Sequence, residues 1–217
     1  MSVKIVRDGQ DLVNGRNEML ARRVCEKYAD AECELKFKST FELLVAVILS
    51  AQCTDKRVNQ VTDVLFKTVN TPAQFAQISQ PRLEAFIRPC GFYHNKAKNI
   101  IACAKDIVER FNGVVPSNKP DLKSLAGVGE KTANVVISTA FKKPAIAVDT
   151  HVFRVSKRLG LASGKTVAEV QKCLEKLPQE LWANLHYGLV LHGRYVCKAR
   201  KPLCDQCEFK GDCPSRI

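Results

Sequence analysis

The stretch Leu125-Ala126-Gly127-Val128-Gly129-Glu130-Lys131-Thr132-Ala133-Asn134 sets two glycines between a short helical segment ending near Leu125 and a longer one running from Glu130 to about Phe141. Glycine reaches backbone angles closed to other residues and leaves its amide uncovered. Amides at a helix N-terminus form an anion site, and one phosphate docks there without its sequence being read. The same spacing also suits an ordinary tight turn between helices. The next residue of interest is Lys131, two past Gly129. A cation in the first turn opposes the helix dipole, which disfavours its charged form and suits an amine nucleophile. Eighteen residues further on, Asp149 opens another helix. An N-cap is one reading of it; a carboxylate facing the Lys131 amine is another, and the two are compatible.

Outward from the hairpin, helical periodicity dominates and no strand pattern survives. Ser39-x-x-Glu42 reads as a capping box opening a helix with Leu43, Leu44, Val47 and Ile48. Asp55 is the expected cap of the next helix, and Pro72 and Pro81 each fall in a first turn. His94 to Phe111 carries Ala97, Ile100, Ile101, Ala104, Ile107 and Val108 on one face, and Gly113 to Pro120 is a loop. Gly160 closes the helix that Asp149 opens. Two more helices fit Val167–Leu177 and Leu181–Tyr195, and Lys142-Lys143-Pro144 is the expected hinge between lobes.

Four of the ten cysteines crowd into the tail as Cys197-x6-Cys204-x2-Cys207-x5-Cys213. In a reducing compartment such crowding indicates metal rather than disulfides. Four thiolates complete either a tetrahedral zinc site or a cubane cluster. Zinc ribbons usually pair two Cys-x-x-Cys knuckles; only one is present, and the wider loops suit a bulkier group. Between the first two cysteines lie Lys198, Arg200 and Lys201, a basic loop pinned at both ends. It reads as a phosphate contact in a chain with 34 Lys and Arg against 22 acidic residues, a formal charge of +12. The longest apolar run, Leu43 to Leu49, is too short to span a bilayer. MSVKIVRDGQ at the N-terminus has no apolar signal segment. An intracellular protein with no membrane partner is the expectation.

With these residues placed, the chain resembles the endonuclease III family of helix–hairpin–helix DNA glycosylases. The resemblance rests on Ser50-Ala51-Gln52-Cys53-Thr54-Asp55, Gly91-Phe92-Tyr93-His94-Asn95-Lys96-Ala97, the hairpin stretch, Val148-Asp149-Thr150-His151-Val152 and the four-cysteine tail. It implies an all-α fold with DNA held between two lobes. Residues 33–143 would form a six-helix lobe containing the helix–hairpin–helix, and residues 1–32 with 144–217 a discontinuous cluster lobe. It implies a [4Fe-4S] cluster on Cys197, Cys204, Cys207 and Cys213. Catalysis falls to Lys131 and Asp149, and DNA contact to Gln52, Phe92, Gly127, Val128, Gly129, His151, Lys198, Arg200 and Lys201. Gln52 resembles the family residue that fills the space a damaged nucleotide vacates. Two positions depart from the family pattern. Ala126 stands where proline usually precedes the first hairpin glycine, and Phe92 where leucine is frequent.

The implied activity is base-excision repair by a monomer acting on double-stranded DNA. The Lys131 amine would displace an oxidised base, chiefly a pyrimidine, and the resulting Schiff base would permit β-elimination 3′ to the abasic site. One rival is an adenine-mismatch glycosylase, which typically lacks the lysine and adds a C-terminal recognition domain. Another is a helix–hairpin–helix module that grips DNA without catalysis, against which the Lys131/Asp149 pair argues. A third, the oxidised-guanine branch, has the lysine and aspartate but usually not the cluster.

Overall fold

The computed structural model describes residues 9–216, and among them there are helices and no strands. The chain divides into two compact units. One is Cys33–Lys143; the other joins the segment ending at Glu32 to the segment beginning at Pro144.

The Cys33–Lys143 unit is built on α2 (Thr40–Leu49), where every residue from Phe41 to Leu49 is buried. A helix apolar on all sides belongs in the middle of a core, and α2 packs on α3 (Asp55–Thr68), α6 (Tyr93–Phe111) and α8 (Glu130–Ala140). Around α6 sit α4 (Pro72–Gln77) and α5 (Gln80–Ile87), and α7 (Lys119–Lys123) lies against α8. The six-helix lobe implied by the resemblance thus appears as seven α-segments. The α4 segment is separate because a Thr71–Gln74 capping box opens it and Ile78, in extended backbone, ends it just before α5.

Two caps differ from expectation. Ser39 does cap α2 through Glu42 N, but the Glu42 carboxylate reaches one residue further back, to Lys38 N at 2.5 Å. The α3 cap is Thr54, whose hydroxyl accepts from Arg57 N at 3.3 Å, and Asp55 becomes the first helical residue. A hydroxyl one residue earlier can reach the third amide of the helix, which the Asp55 side chain, already inside the helix, cannot.

The other unit holds α1 (Gly9–Lys27), α9 (Thr150–Leu159), α10 (Val167–Leu174) and α11 (Trp182–Tyr195). Its core gathers Leu20, Val24, Val152, Val155, Leu159, Leu185 and Leu189, closed at the tail by Phe209. At Gly193 an added Cβ would lie 2.9 Å from the Cβ of His151, so α9 and α11 cross at backbone distance only because that residue is glycine. Gly160 ends α9 in left-handed conformation, as the sequence indicated.

Candidate active site and metal centre

In the Cys33–Lys143 unit, α7 and α8 form the hairpin. A turn closes on Val128 N→Leu125 O at 3.2 Å, and Val128 is buried beneath it. Gly127 has φ +77°, and a Cβ there would press on Asn99 at 3.0 Å. Gly129 is the N-cap of α8 in extended backbone, with no side chain capping the helix, and a Cβ there would meet nothing within 4 Å. By helix geometry the first-turn amides of α8 lack intrahelical partners, and the space in front of the Gly129 Cα is open. Lys131, second in the helix, is exposed. Its neighbour Glu130 is held by Lys119 at 2.9 Å and Lys123 at 2.7 Å. Those bonds, from Lys123 and then Lys119, pull the Glu130 carboxyl down to about 2. The acidic residue beside Lys131 is thereby tied to α7.

Gln52 and Phe92 are also in this unit. Both are exposed and both adopt left-handed backbone, with φ of +53° and +47°. For residues other than glycine such angles cost on the order of 1–3 kcal/mol and tend to collect at functional sites. Phe92 is 66% exposed, an expensive position for a phenyl ring that nothing in the unit covers.

In the other unit, Asp149 caps α9: its Oδ1 accepts from Val152 N at 2.7 Å. The N-cap reading of this residue therefore holds. His151, half-buried against Gly193, has its Nδ1 3.2 Å from Arg154 Nη2. Burial, opposed by Asp149 and reinforced by Arg154 and Arg194, lowers its pKa.

Also in this unit, all four tail cysteines line a single hollow with Arg158, Leu159, His192, Val196, Pro202 and Leu203. The thiols of Cys207 and Cys213 sit above the ordinary range, through burial first and then the neighbouring thiols of the set. Lys198, Arg200 and Lys201 are exposed on the loop between Cys197 and Cys204. The loop is closed by Leu203 N→Val196 O at 3.0 Å.

Comparison with known proteins matches residues 45–180 to the HhH-GPD superfamily of base excision DNA repair proteins. Residues 197–213 match the iron-sulfur binding domain of endonuclease III. Endonuclease III of Haemophilus influenzae is 48% identical over 199 residues, 91% of this chain and 94% of that protein. The chain belongs to the endonuclease III family. The family's Rickettsia prowazekii member is 49% identical over 183 residues, 84% of this chain and 86% of that protein. A solved structure of a trapped endonuclease III–DNA covalent intermediate superposes with a TM-score of 0.89 at 45% identity, covering 93% of this chain and 96% of that one. As an endonuclease III family member the chain is a base-excision repair enzyme, a DNA glycosylase and AP lyase that binds DNA and carries a [4Fe-4S] cluster.

The residues present fit that cluster. Four soft sulfur donors around one hollow are the ligand set a cubane takes. Among the described residues, no three His, Cys, Asp or Glu are gathered closely enough to hold a single ion. Bound there, the cluster ties four thiolates together and adds its binding energy to folding. Its surroundings hold residues that the sequence did not single out. Arg158 donates to Lys198 O at 2.8 Å and Ala199 O at 3.2 Å, and its Nη1 lies 3.5 Å from Cys197 Sγ. Arg154 holds Cys197 O at 3.1 Å and Gly193 O at 2.9 Å. His192 lies between Cys207 Sγ, 3.5 Å from its Nε2, and the Tyr28 hydroxyl, 2.9 Å from its Nδ1. Burial lowers the His192 pKa to about 4. A thiolate only accepts, so Nε2–H would donate to a cluster-bound Cys207, and a neutral ring would then accept from Tyr28 at Nδ1. In the sequence Arg158 reads as an ordinary last-turn cation, and His192 carries no spacing signal. Among the described residues no helix is long and apolar enough to cross a membrane.

Proposed function

We propose that this chain removes damaged bases, chiefly oxidised pyrimidines, from double-stranded DNA, and then breaks the strand 3′ to the abasic site, with Lys131 as the nucleophile. The observation that carries this reading is the Lys131 amine: exposed in the first turn of α8, it makes no hydrogen bond or ion pair among the described residues. It sits beside the N-terminus of α8, where backbone amides suit a phosphate.

The damaged nucleotide leaves the stack, and Gln52 and Phe92 enter the space it vacates. The Lys131 amine forms a bond to the sugar C1′ as the glycosidic bond breaks and the base departs with the bonding pair. The Asp149 carboxylate offsets the positive charge that develops on the sugar. After ring opening, the C1′–N bond becomes a protonated Schiff base. Loss of the C2′ proton then expels the 3′ phosphate oxygen, and water releases the lysine. Gly127, Val128 and Gly129 hold a phosphate through backbone amides, and His151, Lys198, Arg200 and Lys201 supply further contacts. In this assignment residues 33–143 are the hairpin-bearing lobe, and residues 1–32 with 144–217 the cluster lobe. The enzyme acts as a monomer in the intracellular compartment that holds its DNA.

Borohydride reduces a Schiff base to a stable adduct, which makes the nucleophile directly testable. With Lys131→Gln, base release, nicking and the trapped adduct should all vanish while lesion DNA is still bound, because an amide cannot replace the amine. A trapped adduct from that variant would assign the chemistry to another amine.

A further inference from the structure

The loops carrying Gln52 and Phe92 meet at one buried lysine. Lys96 lies in the first turns of α6 and is 6% exposed. Its ammonium donates to Leu49 O at 2.9 Å and to Cys90 O at 3.0 Å. Leu49 is the last residue of α2, three before Gln52; Cys90 ends a short 3-10 turn, two before Phe92. The Lys96 backbone N–H also donates to Phe92 O at 3.1 Å. Beside it, burial first and then the neighbouring Cys53, one residue past Gln52, push the Cys90 thiol up.

A lysine is a poor choice for this position if packing alone matters. Burying an ammonium carries a large desolvation cost, and that burial holds Lys96 below its ordinary pKa. A methionine would fill the space without it. What methionine lacks is a donor that binds two carbonyls on separate elements. Residues that break the local rule for their position tend to serve the site.

We propose that Lys96 is a positioning residue for base extrusion: by holding Leu49 O and Cys90 O on one ammonium, it fixes Gln52 and Phe92 at one separation, ready to enter the stack together. The proposal rests on reading those two residues as the ones that fill the vacated space. Both already hold strained backbone angles, which persist only where surrounding bonds over-determine them. Without the ammonium each loop can relax on its own, and the pair no longer presents one rigid edge to the duplex.

The test uses the cluster-loaded enzyme and a duplex carrying a tetrahydrofuran abasic analogue opposite 2-aminopurine, whose fluorescence rises on unstacking. Gln52→Ala and Phe92→Ala should each lower the fluorescence amplitude at saturating enzyme. Lys96→Met should lower it as far as the Gln52→Ala/Phe92→Ala double variant does. On a damaged-base duplex its kcat should fall about tenfold to a hundredfold with KM nearly unchanged, the scale of a misplaced contact remote from the reacting atoms. Lys96→Arg, which keeps two donors, should restore much of the amplitude. A merely structural lysine would lower the melting temperature and the folded fraction but leave the amplitude per folded molecule at the wild-type value; that result from folded Lys96→Met would overturn the proposal alone. Should Lys96→Met not fold, Lys96→Gln carries the same comparison with a shorter donor. Wild-type amplitudes from Gln52→Ala and Phe92→Ala would instead overturn the wedge reading, and the proposal with it.

Discussion

The proposed function gives Asp149 a second duty besides its cap, and one substitution separates the two. Its Oδ1 caps α9, and the proposal assigns its charge to the reaction. Asparagine keeps an acceptor for the cap and loses the charge. Asp149→Asn should therefore fold with near-wild-type stability while base release slows by about a hundredfold or more, the usual loss when a fixed group facing a developing charge is removed. A preformed abasic site skips base departure, so the variant should keep more nicking activity on abasic DNA than on a damaged-base duplex. Single-turnover rates on the two duplexes, with a thermal melt, check this; a collapsed melt with equal losses on both would leave the cap as the whole role. As candidates, Lys131 and Asp149 stand out in the sequence because each is where helix physics asks a question: a cation opposing a dipole, a carboxylate opening a helix. Lys96 is not legible in that way. It and Lys98 are two positions apart in the same helix, yet Lys96 is buried and Lys98 exposed. Spacing puts Lys96 on the buried face one turn before Ile100, but only the Leu49 and Cys90 carbonyls show why a lysine stands there.

At the scale of elements, the hairpin shows how two glycines in one motif do different work. Gly127 needs its φ of +77° and has Asn99 at 3.0 Å from any Cβ, whereas Gly129 is in extended backbone with open space in front of it. Gly127→Ala should destabilise the fold by about 1–2 kcal/mol from the left-handed angle alone, read as a lower denaturant midpoint. Gly129→Ala should cost less stability than Gly127→Ala, since only the N-cap preference is lost, and should bind DNA more weakly, because its methyl group would stand where a phosphate approaches the amides. A larger stability loss at Gly129 than at Gly127 would reverse these assignments. Helix existence was readable throughout the middle of the chain, and the boundaries moved by a few residues where caps compete, as at Thr54 and Asp55. The α1 helix gave no periodic signal of its own. Among its described side chains, the deeply buried Leu20, Ala21 and Val24 belong to a core in which α1 packs on α11, more than a hundred residues away.

At the scale of the whole molecule, a charge of +12 predicts a polyanionic partner but says nothing of where it binds. The ion pairs narrow the field. Lys119, Lys123, Arg22, Arg23 and Lys27 are engaged with carboxylates. Lys198, Arg200 and Lys201 form none of the ion pairs found among the described residues, and all three are exposed. Their loop is unusually well held for a surface segment: Arg158 grips the carbonyls of Lys198 and Ala199, and the cysteines fix both ends. Rigidity established before binding need not be paid for at binding, so three cations here are worth more to DNA than three on a mobile tail. Each phosphate contact contributes about 0.9 to the slope of log affinity against log salt. Reversing all three charges should make that slope shallower by about 2.7 or slightly more, since each new carboxylate also repels the backbone. Between 50 and 200 mM salt the wild type should then lose roughly fortyfold more affinity than the variant does. The loss should be the same for every sequence, damaged or not, because phosphates carry no sequence information. Arg158→Met leaves the three cations in place and frees the loop, so it should weaken binding while leaving the salt slope near the wild-type value. Titrations of both variants across salt concentrations distinguish charge from rigidity. Equal slopes for the wild type and the triple variant would remove the loop from the DNA interface.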